Sequence, residues 1–393
     1  MALPEVKIRI AFDTDPFDAS PVWTDVSADA MSYGIRRGRQ HELDRVEAGT
    51  AIIVLNNQSG NYWPNNTSGD YYPNILPGKR INIRVTYDGN TYDRFTGFIE
   101  KWQPGFISQP LKGAIMTLTC ADLTKNLAKL LLNGIGYSAE LSGTRVSNVL
   151  DDLGWPSGER DIDTGQSTIL ATGALSNVNA LEHLFNVASA ERGIFFQSTD
   201  GKLVYQDRHT RFKAPYSTSQ ATFGDGSGEM PFTNIELAYD DQYIYNDIRI
   251  TRTGGTEQTA EDTTSQQSFG KRSLARSELL VSSDGECLSQ AQYLLSQYKD
   301  PALRARNIII SNGANLSALC PKTFSYDIST RITVNLGQAD ISGDYHIEGI
   351  NEDWNASQPE KRAVVTSWQL SNADAVSYWA WGYAKWGISK WAY

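Results

Sequence analysis

Two parts of this chain repeat one another. RINIRV (80–85) leads through GFIEKW, which ends at Trp102, to AIMTLTC (114–120); RITVNL (331–336) leads through YHIEGINEDW, which ends at Trp354, to AVVTSWQL (363–370). Arg80 to Trp102 spans 22 positions and Arg331 to Trp354 spans 23. Order, spacing and the place of the tryptophan agree, so the chain reads as carrying two related β modules. Each run alternates apolar with polar residues and is rich in β-branched side chains, the pattern of a strand with one buried face.

The rest of the chain arranges itself around that duplication. VKIRIAF (6–12), GTAIIVLNN (49–57), RINIRVTY (80–87), FTGFIEKW (95–102) and AIMTLTC predict a small antiparallel barrel or sandwich over residues 1–120. The Asn-, Gly-, Pro- and Tyr-rich stretch 59–80 inside it predicts an ordered loop with aromatic anchors, since disordered linkers carry few rings. From 121 the period becomes helical. Asp122 is placed to cap LTKNLAKLLL, TRVSNVLDDLG predicts a helix from Thr144 to Gly154, and a third helix runs from a cap near Ser176 to Gly193. Two strands around Asp200-Gly201 follow, so residues 121–206 predict an inserted α/β domain. Residues 207–372 predict the second module, with one amphipathic helix at about 286–298 and a mobile polar loop over 254–268. Residues 373–393 are left as a separate aromatic segment.

Length supports several domains, because 393 residues exceed one ordinary core. A formal net charge of −10 disfavours a protein that grips phosphates through a basic patch, but is compatible with a wall past which DNA slides. Cys120, Cys287 and Cys320 are odd in number and far apart, which predicts buried reduced thiols and neither a disulfide framework nor a zinc site. The first residues lack the basic start and apolar run of a signal peptide, and no apolar stretch approaches the roughly 20 residues that cross a bilayer. The expectation is a protein kept in the cytoplasm or exported without such a signal, with no stable membrane insertion.

Candidate chemistry is sparse. Asp163-Thr164-Gly165 matches the aspartic-protease triplet, but a second copy is needed to share one water, and Gln166 stands where Ser or Thr is expected. Gly134-Ile135-Gly136 with Ala139 fits the loose dinucleotide pattern but follows a helix instead of a strand. Asp13, Asp15 and Asp18 offer carboxylates to calcium without the glycine of a tight binding turn; a solvated turn is the simpler reading, and a bound ion stays open. His41, His183, His209 and His346 form no ligand array, and His183 beside Glu182 reads as a surface position. Asp151-Asp152 and Asp240-Asp241 are sequence neighbours and so point apart. The expectation is a protein with no enzyme activity, no cofactor and no resident metal.

Four stretches in succession carry a family likeness: RRGRQHELDRVEAGTAIIVLNNQSGNYWP with LPGKRINIRVTYDGNTYDRFTGFIEKW; LDDLGWPSGERDIDTG continuing to AERGIFFQSTDGKLVYQDR; DDQYIYNDIRITRTGG; and SFGKRSLARSELLVSSDGECLSQAQYLLSQYKDPALR. Together they resemble the tail-tip or baseplate hub proteins, also called minor tail proteins, of tailed bacteriophages and phage-like particles. The resemblance implies a mainly β fold with an α+β insertion: two tail-tube-like β-barrel modules per chain plus a small mixed α/β domain. It implies a homotrimer whose six barrels close a ring between the tail tube, or a distal tail protein ring, and the tip spike or fibre proteins. The tape-measure protein is a further implied partner, and DNA would pass through non-specifically. The implied place is the virion tail tip, after assembly in the bacterial host's cytoplasm. A six-copy distal tail ring and a carbohydrate- or receptor-binding β protein are the competing readings.

The aromatic end fits a docking role. Four of the ten tryptophans and three tyrosines fall within residues 377–393. Trp379, Tyr383 and Trp386 follow helical spacing, with Trp381 and Trp391 off that stripe. Rings this dense are anchor chemistry for a partner surface, or for the protein's own barrel.

Overall fold

The computed structural model describes residues 3–18, 20–106, 113–356 and 364–373. Its first module is a run of antiparallel strands: β1 (Glu5–Ala11), β2 (Thr24–Asp25), β3 (Ala30–Gly38), β4 (Glu47–Asn56), β5 (Arg80–Tyr87), β6 (Asn90–Phe106) and β7 (Ala114–Ala121). Alternation decides which side is buried: Ile8, Ile10, Ile53, Leu55, Ile81, Ile83, Met116 and Leu118 all face one apolar core. The aromatic 59–80 loop is ordered through the same core, where Tyr62 is fully buried and Tyr71 stacks on Phe12 at 4.2 Å.

An α/β unit follows. It comprises the single turn α1 (Thr124–Leu127), β8 (Leu131–Leu132), β9 (Glu140–Leu141), α2 (Ser142–Asp152), β10 (Arg160–Ile162), β11 (Thr168–Ile169), β12 (Val178–Asn179), α3 (Ala180–Ala190), β13 (Ile194–Gln197) and β14 (Leu203–Gln206). The helix expected over LTKNLAKLLL stops after one turn, because Leu131 and Leu132 are claimed by Asn179 and Val178 as a strand pair. The third helix starts later than the expected cap near Ser176: Asn179 accepts the Glu182 N–H and caps it.

The chain then supplies β15 (Thr222–Gly224) and β16 (Asn234–Ala238), returns to the α/β unit with β17 (Asp247–Arg252), β18 (Gln258–Glu261), α4 (Thr263–Phe269), β19 (Ser273–Leu279) and α5 (Asp284–Tyr298), and finishes with β20 (Arg304–Ser311), α6 (Leu316–Ser325), β21 (Arg331–Leu336), β22 (Ile341–Asn355) and β23 (Val365–Asn372). Of residues 254–268, expected as a mobile loop, 254–257 form a turn and the remainder is the strand β18 and most of the helix α4. Asp262 caps α4 by accepting from Ser265 N, and the buried Ser265 is the anchor. The segment looks featureless in sequence because a polar side chain does the anchoring.

One hydrophobic core joins Leu127, Val146, Leu184 and Phe195 to Ile248, Ile250, Cys287 and Leu294. The inserted unit therefore extends past the expected 121–206 and draws β17–β19 and α5 out of the second module. That module keeps its own core around Phe223, Ile308, Ile332, Ile347 and Trp368. It also holds a helix the sequence reading lacked, α6, with Pro321 inside it.

Among the described residues thirteen strands share one hydrogen-bonded sheet with the order β16-β20-β23-β22-β3-β4-β7-β6-β5-β1-β2, while β21 branches from β22 and β15 from β21. The chain is mainly β, and among the described residues this path does not close on itself. The duplication is visible strand by strand. In the first half β3-β4-β7-β6-β5-β1 are neighbours, and in the second β16-β20-β23-β22-β21-β15 are neighbours in the same order. One pairing differs: β1 meets β5 antiparallel, whereas β15 meets β21 parallel.

The register corrects one part of the sequence alignment. Arg80 pairs Phe98 and Arg331 pairs His346, so the two arginines are equivalent. Both long strands then bulge at a glutamate, β6 between Ile99 and Lys101 and β22 between Ile347 and Gly349. Counting from the bulges, Glu100 matches Glu348, Trp102 matches Ile350, and Phe106 matches Trp354. The two tryptophans that end GFIEKW and YHIEGINEDW are thus not counterparts.

Candidate assembly interface

The two modules meet where β22 leaves β21. Its first part, to His346, pairs with β21, and its second part pairs antiparallel with β3, from Gly349 opposite Gly38 to Asn355 opposite Ser32. Close approach at the start of this seam needs glycine. Gly38 has φ +88°, and a Cβ there would sit 2.3 Å from the Glu348 carbonyl oxygen. At the far end Trp354 stacks on Tyr33 with ring centroids 5.7 Å apart.

Buried charge ties the seam together. Arg94 on β6 donates from Nε and Nη2 to Glu352 Oε2 on β22, at 2.8 and 2.5 Å, and from Nη1 and Nη2 to the α6 carbonyls of Phe324 and Thr323, at 2.5 and 3.2 Å. Tyr33 donates its hydroxyl to Glu352 Oε1 at 2.7 Å. Burial, and next the Glu352 charge, push the Tyr33 hydroxyl well above its ordinary range. Residues from β3, β6, β22 and α6 thus satisfy one another away from water. α6 also divides its own apolar face: Cys320 and Phe324 enter the first core, and Leu319 enters the second.

A second buried cluster lies at the bulge. Glu348 accepts from Arg39 Nε at 2.8 Å and from Arg211 Nη1 and Nη2 at 2.5 and 3.0 Å. Burial would raise the Glu348 carboxyl, but the Arg211 and Arg39 guanidiniums override it and hold the group well below the usual carboxylate range. His346 next to it is pushed down to about 3 by burial and then by Arg211, and its Nδ1 lies 2.9 Å from the Ser329 carbonyl oxygen. Beside this cluster opens a cavity of about 840 Å³ lined in part by Arg39, Arg192, Arg208, Arg211 and Arg276. Asn372 and Ala373 also line it. The geometry is that of a rigid joint, with donors and acceptors matched across module boundaries.

No protein-family model and no curated protein sequence matches this chain. Solved structures do match its fold. A tail protein from Neisseria meningitidis MC58 superimposes with a TM-score of 0.63 at 12% identity, over 95% of this chain and 98% of that one. The 43 kDa tail protein of prophage MuSo2 from Shewanella oneidensis gives 0.60 at 14% identity, over 94% and 99%. The chain has the phage tail-protein fold. A prophage tail protein from Listeria monocytogenes EGD-e also shares it, with a TM-score of 0.52 at 10% identity, over 92% and 94%. Near-complete coverage in both directions means that this fold takes in both modules and the α/β unit together.

Within this tail-protein fold, the sequence-derived candidates fall mainly in structural positions. Asp163 accepts the Asp207 N–H at 3.0 Å and anchors a turn; Gly165, at φ +86°, lets that turn press on α2. Gly134, also at positive φ, donates to the Leu175 carbonyl in a loop. Asp13 accepts from Asn74, while Asp18 accepts from Ser20 N; among the described residues no three His, Cys, Asp or Glu side chains gather as metal ligands. Asp151, Asp240 and Asp241 pair separately with Arg160, Arg304 and Arg272. The three cysteines are buried and free, as expected. His183 is buried rather than on the surface, because α3 packs on two sides and the ring lies against Tyr137. Trp379, Trp381, Tyr383, Trp386 and Trp391 lie outside the described residues. The seam residues Arg94, Glu348 and Glu352 were missed in sequence; the shared Ile-Glu at 99–100 and 347–348 was the available signal.

Proposed function

We propose that this chain is a structural component of a phage or prophage tail: a hub ring of three copies that joins the tail tube, or a distal tail ring, to the tip and forms part of the channel through which DNA leaves. The observation that carries this reading is the strand-by-strand duplication within a tail-protein fold. Two equivalent modules per chain give three copies six equivalent units, the number that matches a sixfold tube while offering threefold symmetry below. Its work is done by shape and interface burial, with no bond made or broken. The tape-measure protein and the spike or fibre proteins are its expected neighbours, and the tail tip its place in the virion. The aromatic segment 373–393 docks on an adjacent subunit or tip protein through Trp379, Trp381, Tyr383, Trp386 and Trp391.

Native mass measurement with negative-stain imaging tests the ring: a three-copy hollow disc is expected, and a six-copy particle or a strict monomer at high concentration overturns it. Removing residues 373–393 is expected to leave folding intact and to weaken attachment to the ring or tail.

A further inference from the structure

One strand passes from module to module within this chain. The second module offers the outer part of β22, and the first receives it on β3. The equivalent pieces are the outer part of β6 on the first module and β16 on the second. Among the described residues neither is matched. β16 ends the sheet, with only β20 beside it, and β6 pairs with β5 no further than Phe98. The difference in burial follows. Glu348, Gly349, Ile350 and Glu352 are buried in the seam, whereas Lys101, Gln103, Pro104 and Phe106 are exposed. Phe106 keeps 54% of its surface exposed, touching only the Trp63 ring among the ring contacts of the described residues, whereas Trp354, its counterpart, is stacked on Tyr33 of the other module.

We propose that β6 residues 100–106 of one copy pair antiparallel with β16 of a second copy, reproducing between molecules the seam that β22 and β3 make within one. This rests on the ring reading above and adds the residues that close it. The register follows from the internal equivalences. Tyr33 lies opposite Ile53, which lies opposite Leu118; Ile235 lies opposite Ile308, which lies opposite Trp368. Leu118 and Trp368 are themselves counterparts, being opposite Trp102 and Ile350. Ile235 therefore takes the part of Tyr33, and Glu236 that of Gly34. Trp354 opposite Tyr33 becomes Phe106 opposite Ile235 of the second copy, and Asp353 opposite Gly34 becomes Gly105 opposite Glu236.

Side-chain chemistry agrees with that register independently. Phe106 shares a face with Trp102, which packs on the first core, and Ile235 and Leu237 pack on the second core, so the pairing sets apolar against apolar on one face. Pro104, with no N–H to give, blunts the bare edge against indiscriminate pairing before the partner arrives. One offered and one receiving edge per chain make a head-to-tail contact, which closes into a ring or continues as a filament according to the rotation between neighbours.

The test uses the full chain with paired cysteines, the native thiols being buried. Phe106→Cys with Ile235→Cys, oxidised or bridged by a short bis-thiol reagent, is expected to give covalent trimers; each single variant is expected to stay uncoupled, and mixing the two singles should give covalent dimers only. Phe106→Cys with Ala238→Cys serves as the out-of-register control. Phe106→Asp is expected to keep the melting temperature of the monomer and lose the trimer. Trimers by native mass without the 106–235 link, or with stronger coupling in the control, overturn the edge assignment and leave the ring. A chain that stays monomeric at high concentration overturns both. A 106–235 link in particles of another copy number upholds the edge and overturns the three-copy ring.

Discussion

Arg94 and Glu352 stand 258 residues apart in sequence and 2.5 Å apart in the fold, in a place where both side chains are almost wholly shut off from water. The pair joins the first module to the second, and it is held in turn by Tyr33 and the end of α6. Removing one partner leaves the other charged and buried. Glu352→Ala is expected to cost about 3–5 kcal/mol of stability, read as a lowered urea midpoint, and Arg94→Met with Glu352→Leu is expected to recover part of that loss.

Stability is expected to fall as pH drops below neutrality. His346 and His183 are held neutral in the folded chain, with values pushed down to about 3 and about 4, mainly by burial. Between those values and the roughly 6.5 of an unfolded histidine, the unfolded chain binds more protons, so each contributes up to about 1.4 kcal/mol per pH unit of destabilisation. Glu348 acts in the same sense lower down. Its depressed carboxyl stabilises the fold above about pH 4.3, and that contribution is lost as pH falls further. Urea unfolding from pH 7 to 4 checks this: His346→Gln is expected to flatten the slope, and an unchanged slope would refute it.

Gly38→Ala is expected to open the seam. The residue sits at φ +88°, and its new Cβ would press on the Glu348 carbonyl, which is backbone and cannot rotate away. Loss of soluble folded chain, or a strongly lowered melting temperature, is the expected result. Gly89→Ala, also at positive φ but with nothing within 4 Å, is expected to do less.

The 254–268 segment is expected to exchange amide hydrogens slowly at β18 and α4. Asp262 both caps α4 and pairs with Lys299 at 2.7 Å. Asp262→Ala is expected to cost about 1 kcal/mol and to raise exchange across 258–269 by hydrogen-exchange mass spectrometry, leaving β5 and β6 unchanged.

Strand character was legible because period-2 alternation is local. The pairing of Arg80 with Arg331 as counterparts could be read from RINIRV and RITVNL directly. The tryptophan match was misleading, since Arg80 and its partner Phe98 are 18 positions apart whereas Arg331 and its partner His346 are 15 apart, and hairpin length is a property of the paired strands that a residue spacing does not report. α6 was hidden by Pro321, which punctuates a sequence but is tolerated here within a helix packed between two cores. Leu131 and Leu132 look helical until Val178 and Asn179 are placed beside them.

The residue pattern alone thus determined that this protein is mainly β, that its central helices lie in an inserted region, and that one β unit occurs twice. Those follow from periodicity and from self-similarity, which need no partner to be seen. Only the tertiary structure decided where the inserted unit ends, which glutamates are buried, and that β22 passes from its own hairpin to the other module. Burial and strand pairing are relations between distant segments, and a side chain becomes costly or useful there only once the chain has brought its counterpart within reach.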